Sequence, residues 1–118
     1  MLYVYEVLCI DQSTIKDRYI GYSSLPEKQF ISCQNGIYID KVTGKEKQST
    51  QKPSPLQNFV MSHGGWDNWI FLPFDEKYET PHDAEAEKER LLASFPDLYT
   101  INVYKTGRTR ALLQGYLN

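Results

Sequence analysis

Long apolar runs are missing from this chain. No window approaches the roughly 18 consecutive apolar residues that a bilayer span requires, so a transmembrane helix is excluded. Cysteine is scarce as well: Cys9 and Cys33 are the only two, too few for a disulfide framework and too far apart for a metal knuckle. That predicts a reduced, intracellular setting, cytoplasmic or nuclear. Met1-Leu2-Tyr3-Val4-Tyr5-Glu6 has neither a basic leader nor a small-residue cleavage site, so no secretory signal is expected. A dominant charge is also lacking, since 13 Lys and Arg stand against 15 Asp and Glu for a net charge of -2. Taken whole, that balance argues mildly against a nucleic-acid partner. There is no internal repeat, and 118 residues suffice for one packed core and not two, a single domain over 1–118.

What is present is strongly segregated. Residues 67–89 carry eight acids against two lysines, whereas 41–52 carry four Lys and one Glu, and 105–110 carry three cations and no acid. Either these are solvated loops, or the protein places cations on one face and gathers carboxylates on another.

The first 22 residues predict a hairpin. Aromatic and β-branched residues fill both alternating sets of 2–9, as expected of a strand covered on both faces, and strand character resumes at Arg18-Tyr19-Ile20-Gly21-Tyr22 after the polar turn 11–17. Ser23-Ser24 before Leu25-Pro26-Glu27 predicts a helix start with a hydroxyl cap. Leu25, Phe30, Ile31 and Cys33 should form its buried side, and Asn35-Gly36 its end. Residues 36–55 read as an exposed loop with a brief hairpin at Ile37-Tyr38-Ile39. Leu56, Phe59, Val60 and His63 then recur at helical spacing, up to Gly64-Gly65. A buried third strand is expected over 66–74, with Trp66 and Trp69 on opposite faces. A second long helix should open at Thr80-Pro81 and run to about Ser94. Beyond it, 99–104 is strand-like, 111–117 has helical character, and 105–118 forms a tail. The expected class is α+β, a small three-stranded antiparallel sheet flanked by helices in the order strand, strand, helix, helix, strand, helix.

Chemistry-bearing residues cluster in three places. Tyr5 and Tyr19 lie on neighbouring strands and can meet across the hairpin, where buried hydroxyls need partners. On the acidic helix, Glu85 and Glu89 share a face at i and i+4 while Glu87 points away. A carboxylate there, with water and phosphate oxygens, could hold one Mg²⁺. Taken alone, such a helix reads as solvated acids. His63 reads as a helix-end residue and His82 as a solvated first-turn residue.

Tyr19-Ile20-Gly21, with Ser23 and then Gln29-Phe30 on a helix, resembles the second motif of the GIY-YIG nuclease superfamily. Tyr3-Val4-Tyr5 stands where the first motif would, with Tyr3 for the usual glycine; the literal Gly36-Ile37-Tyr38 follows Tyr19 and is a coincidence. Gly64-Gly65-Trp66-Asp67-Asn68-Trp69 is similar to the approach to the third strand in members typical of large DNA viruses. Glu87-Lys88-Glu89-Arg90, with Asn102 thirteen residues after Glu89, resembles the metal-binding helix and its following Asn.

The resemblance implies a Mg²⁺- or Mn²⁺-dependent endonuclease hydrolysing DNA. Glu89 would bind the metal, Tyr5 would take the proton of the attacking water, and Tyr19 would orient water or phosphate. Lys28, Arg18, Lys41, Lys45, Lys47, Lys52, Lys105, Arg108 and Arg110 are the candidate phosphate-binding cations, and Arg18 or Arg90 could move in where a helix arginine is missing.

Two positions depart from the family. Gln29 stands where the helix usually carries Arg, and Cys33 where it carries His. Glutamine brings neither charge nor a five-donor fork, and losing such a transition-state contact costs about 3–4 kcal/mol, a hundred- to thousandfold in rate. The alternative expectation is therefore a catalytically inactive module of this fold, binding nucleic acid or a protein partner, a second copy of the chain included.

Overall fold

A computed structural model of the chain describes residues 1–46 and 54–103. Lys47, Lys52, Lys105, Arg108, Arg110 and the helical character of 111–117 lie outside the described residues. The fold is α+β: β1 (Leu2–Cys9), β2 (Arg18–Ser23), α1 (Pro26–Gln34), α2 (Pro55–Ser62), β3 (Trp69–Tyr78), α3 (Pro81–Ser94) and a 3-10 turn at Thr100–Val103. The sheet is antiparallel with order β2-β1-β3, so the first strand is its centre.

That position explains the two-sided apolar pattern of β1, in which every residue but Tyr3 is buried. Tyr5, Val7 and Cys9 point into one core with Phe30, Leu56, Phe59, Val60 and Trp69, beneath α1 and α2. Val4 points the other way, joining Ile20 and Tyr99 beneath Leu91 and Leu92 of α3. Each fully buried aliphatic or aromatic side chain contributes about 1.5–3 kcal/mol of burial free energy, which makes β1 the common wall of both cores. Glu6 is buried on this strand too; Arg18 pairs with it at 3.3 Å.

The helices begin as their sequences direct, with one exception. Ser54 and Thr80 cap α2 and α3, accepting from the amides of Gln57 and Asp83. The expected hydroxyl cap of α1 is absent; Ser23 Oγ instead accepts from the amide of Leu25, which holds the N-cap position. Leu25, outside the helix, and Ile31, turned about 100° from Phe30, are therefore about half exposed and not buried. Gly36 ends α1 at φ +71°, and Gly64 and Gly65 end α2 at +98° and +89°, conformations disfavoured for side-chain-bearing residues. The expected hairpin near Ile37 is a single bridge, Ile39 to Glu46, closed by a turn in which Asp40 accepts from the amides of Val42 and Thr43.

Two further expectations are corrected. The third strand starts at Trp69 and not Trp66, because the chain turns after Gly65 and the Trp69 amide bonds back to the Trp66 carbonyl at 3.0 Å. Both tryptophans consequently pack against the same core. As an edge strand, β3 is largely exposed beyond Trp69, and it tolerates Pro73 near the register irregularity opposite Tyr3 and Tyr5. Residues 100–103 form a 3-10 turn and not a strand. There the Asn102 side chain meets the free edge of β2, accepting from Ile20 N at 2.9 Å and donating to Ile20 O at 2.7 Å. Among the described residues no helix is long and apolar enough to cross a membrane.

Candidate functional site

At the β2 edge of the sheet lies a cleft of about 580 Å³, lined by Tyr5, Tyr19, Tyr22, Gln29, Cys33 and Lys41 among others. Its floor follows from the hairpin register. Tyr5 is opposite Gly21 and Val7 opposite Tyr19, so the two tyrosines are diagonal neighbours on one face, ring centroids 6.4 Å apart. Tyr5 lies across Gly21. A Cβ at position 21 would sit 2.9 Å from the Tyr5 hydroxyl oxygen and 3.0 Å from a Tyr19 ring carbon, so only glycine admits this arrangement.

α1 supplies the facing wall. Ser23, fully buried at the end of β2, donates to Gln29 Oε1 at 3.3 Å, which commits the amide oxygen to the strand and leaves the amide nitrogen as the group offered to the cleft. Cys33 lies one turn further on, 3.6 Å from Ser54 Oγ. Lys41 reaches over the Tyr22 ring, its ammonium 4.9 Å from the ring centre.

Electrostatics set the protonation of the phenols. Burial, reinforced by Tyr19 and Cys33, holds the Tyr5 hydroxyl well above its ordinary value. Burial again, then Cys33 and Glu85, pushes Tyr19 up to about 12. Burial also raises the Cys33 thiol. Near neutral pH both phenols keep their protons and act as hydrogen-bond donors. A donor-lined cleft with an ammonium at its rim suits an anionic oxygen better than it suits proton abstraction.

The carboxylates of α3 do not take the expected places. Ala84, Lys88 and Leu91 follow one another at i, i+4 and i+7; Ala84 is buried, Leu91 packs on the second core, and the Lys88 side chain is only 14% exposed. Glu89, one residue further round, has a 61% exposed side chain and is not among the cleft's lining residues. The acid that reaches toward the tyrosines is Glu85, which accepts from the Tyr22 hydroxyl and raises it, after burial, above its ordinary value. Burial alone would raise the Glu85 carboxyl, but the hydrogen bond and charge of Lys88, a hydrogen bond with Glu89 and the charge of Lys41 outweigh it and hold the carboxyl low.

This set does not fit a resident Mg²⁺ or Mn²⁺ as it stands. Lys88 Nζ lies 3.0 Å from Glu85 Oε1 and 3.8 Å from Glu89 Oε1, where a divalent ion would need those same oxygens. Among the described residues no group of three His, Cys, Asp or Glu side chains is placed to share a metal.

The other candidate cations are mostly committed elsewhere. Arg18 pairs with Glu6 and donates to Gln12, and Arg90 pairs with Glu87, so neither replaces a guanidinium at position 29. Lys28 donates to the Gly44 carbonyl at 2.7 Å, tying α1 to the turn at 40–46, and Lys45 is exposed on that turn. His63 caps α2, stacked on Phe59, and His82 is exposed. The structure thus brings Tyr5, Tyr19, Gln29 and Lys41 together and leaves Glu89, Lys28, Lys45 and Arg18 outside the cleft. Sequence reasoning missed Tyr22, Ser23 and Lys88; for Lys88 the signal was the inward stripe it shares with Ala84 and Leu91.

Compared with known protein families, curated proteins and solved structures, the chain matches no family model, no curated protein and no solved structure.

Proposed function

We propose that the protein is a DNA-directed module of GIY-YIG type whose tyrosine cleft receives a phosphodiester and whose hydrolytic step is strongly attenuated. The observation that carries this reading is the meeting of two protonated phenols, the Gln29 amide and the Lys41 ammonium on one cleft. Those groups complement the oxygens of a phosphodiester, and phosphate contacts supply most of non-specific DNA affinity. The same features disfavour hydrolysis. Tyr5, the phenol that would take the proton of the attacking water, is held well above its ordinary value by burial and is a poor base at neutral pH. Gln29 offers no charge to a developing pentacoordinate phosphate, and Lys88 lies 3.0 Å from the Glu85 carboxylate and 3.8 Å from that of Glu89.

A second reading, an active Mg²⁺- or Mn²⁺-dependent endonuclease with Glu89 as metal ligand, has one observation in its favour. Tyr5, Tyr19 and Gln29 meet in the order the resemblance implies, and the acidic helix that follows packs across the other face of the same sheet. Incubation of supercoiled plasmid with Mg²⁺ or Mn²⁺ separates the two. The proposal expects bound but uncut plasmid for the wild type. Nicking by the wild type that disappears in Glu89→Ala would establish the enzyme instead, and Gln29→Arg should then raise the rate by about a hundred- to thousandfold.

A further inference from the structure

We infer that Lys88 stands where a divalent ion held by Glu85 and Glu89 would have to sit, behind Tyr22 and outside the residues that line the cleft, and that recognition at the cleft is therefore independent of metal on α3. The second half of this inference rests on the DNA-binding reading above.

A lysine in a helix of acids usually lies in solvent as one member of a screened surface pair. Lys88 does not. The stripe Ala84, Lys88, Leu91 turns its stem toward the sheet, and its side chain is 14% exposed. Its ammonium contacts Glu85 at 3.0 Å and Glu89 at 3.8 Å and lies 5.9 Å from the centre of the Tyr22 ring. Tyr22 in turn donates its hydroxyl to Glu85 and has Lys41 at 4.9 Å from its ring centre. Tyr22 is thus flanked by two ammonium groups, one from the turn at 40–46 and one from α3.

Two consequences follow. A divalent ion approaching the Glu85 and Glu89 oxygens meets a covalently tethered positive charge that already occupies a Glu85 oxygen, lies 3.8 Å from Glu89 and is too enclosed for solvent to screen fully. Conversely, an anion at the rim meets Lys41 without any metal to bridge it. Lys88 acts here as a positioning residue, through Glu85 and Tyr22.

Calorimetric titration of Mn²⁺ alone into the full chain tests the first consequence, comparing the wild type with Lys88→Gln and Lys88→Glu, with far-UV circular dichroism to verify folding. Removal of the ammonium should let one Mn²⁺ bind at least about tenfold more tightly than to the wild type. Should Lys88→Glu fail to fold, Lys88→Gln, which keeps a polar end without charge, carries the same comparison. Equal Mn²⁺ affinity in wild type and folded variants would overturn the inference, whether all bind or none does. In parallel, anisotropy of a fluorescent DNA duplex with EDTA or with Mg²⁺ should give the same affinity, and a requirement for Mg²⁺ would contradict metal independence. Absence of DNA binding under both conditions would end the DNA reading, while the Mn²⁺ comparison would still decide the place of Lys88.

Discussion

Tyr19 is the residue whose protonation the fold controls most legibly. Its phenol is raised from an ordinary 10.0 to about 12, burial being the largest cause, so the folded state holds the proton more tightly than the unfolded chain does. The stability this provides is complete below about pH 10 and declines as pH rises toward 12. Alkaline titration followed at 295 nm should show a tyrosine class near 12, shared with Tyr78 and Tyr99, that loses one phenol in Tyr19→Phe; a Tyr19 that titrates with the exposed tyrosines would refute the enclosed cleft. Asn102 offers a second test at this scale. Its side chain satisfies both backbone groups of Ile20, which is fully buried, so Asn102→Ala should cost about 1–3 kcal/mol, read from the urea midpoint. A change near zero would show that water replaces the amide there.

Among the elements, the β1–β2 hairpin builds the site and α3 tunes it. Gly21 lets Tyr5 cross from β1 onto β2, so Gly21→Ala should displace the phenol or strain the pair, at about 1–3 kcal/mol of stability. Its urea midpoint and the 295 nm titration should move together; unchanged values in both would mean that the close approach is not maintained in solution. The hairpin was readable from sequence because period-two alternation and a polar turn are local signals, α2 because Leu56, Phe59, Val60 and His63 recur at helical spacing, and α3 because Thr80-Pro81 marks a helix start. The start of β3 was not, since the positive-φ Gly64 and Gly65 and the turn that follows delay the strand by three residues. The side of α3 that faces inward was not either. Glu85 and Glu89 do share a face, but the seating of Ala84 and Leu91 on the sheet decides that Lys88, not Glu89, turns inward, and that seating is tertiary. The Tyr5 and Tyr19 pairing was legible from neighbouring strands, whereas Gln29 joined it only through the motif resemblance.

For the molecule as a whole, the net charge of -2 conceals an arrangement. The acids of α3 are partly neutralised within the helix by Lys88 and Arg90. Lys41 stands at the mouth of a cleft whose buried phenols keep their protons. A nearly neutral protein can thus present a local site for an anion. The central claim is that this cleft takes a DNA phosphodiester through its phenol and amide donors and the Lys41 ammonium, without needing metal. Its most direct test is the anisotropy of a fluorescent DNA duplex in EDTA, titrated with the wild type and with Lys41→Ala at two salt concentrations. The account expects binding that weakens with added salt and weakens further in Lys41→Ala, with a smaller salt slope because one phosphate contact is gone. An absence of binding at low salt, or binding that neither salt nor Lys41→Ala affects, would contradict it.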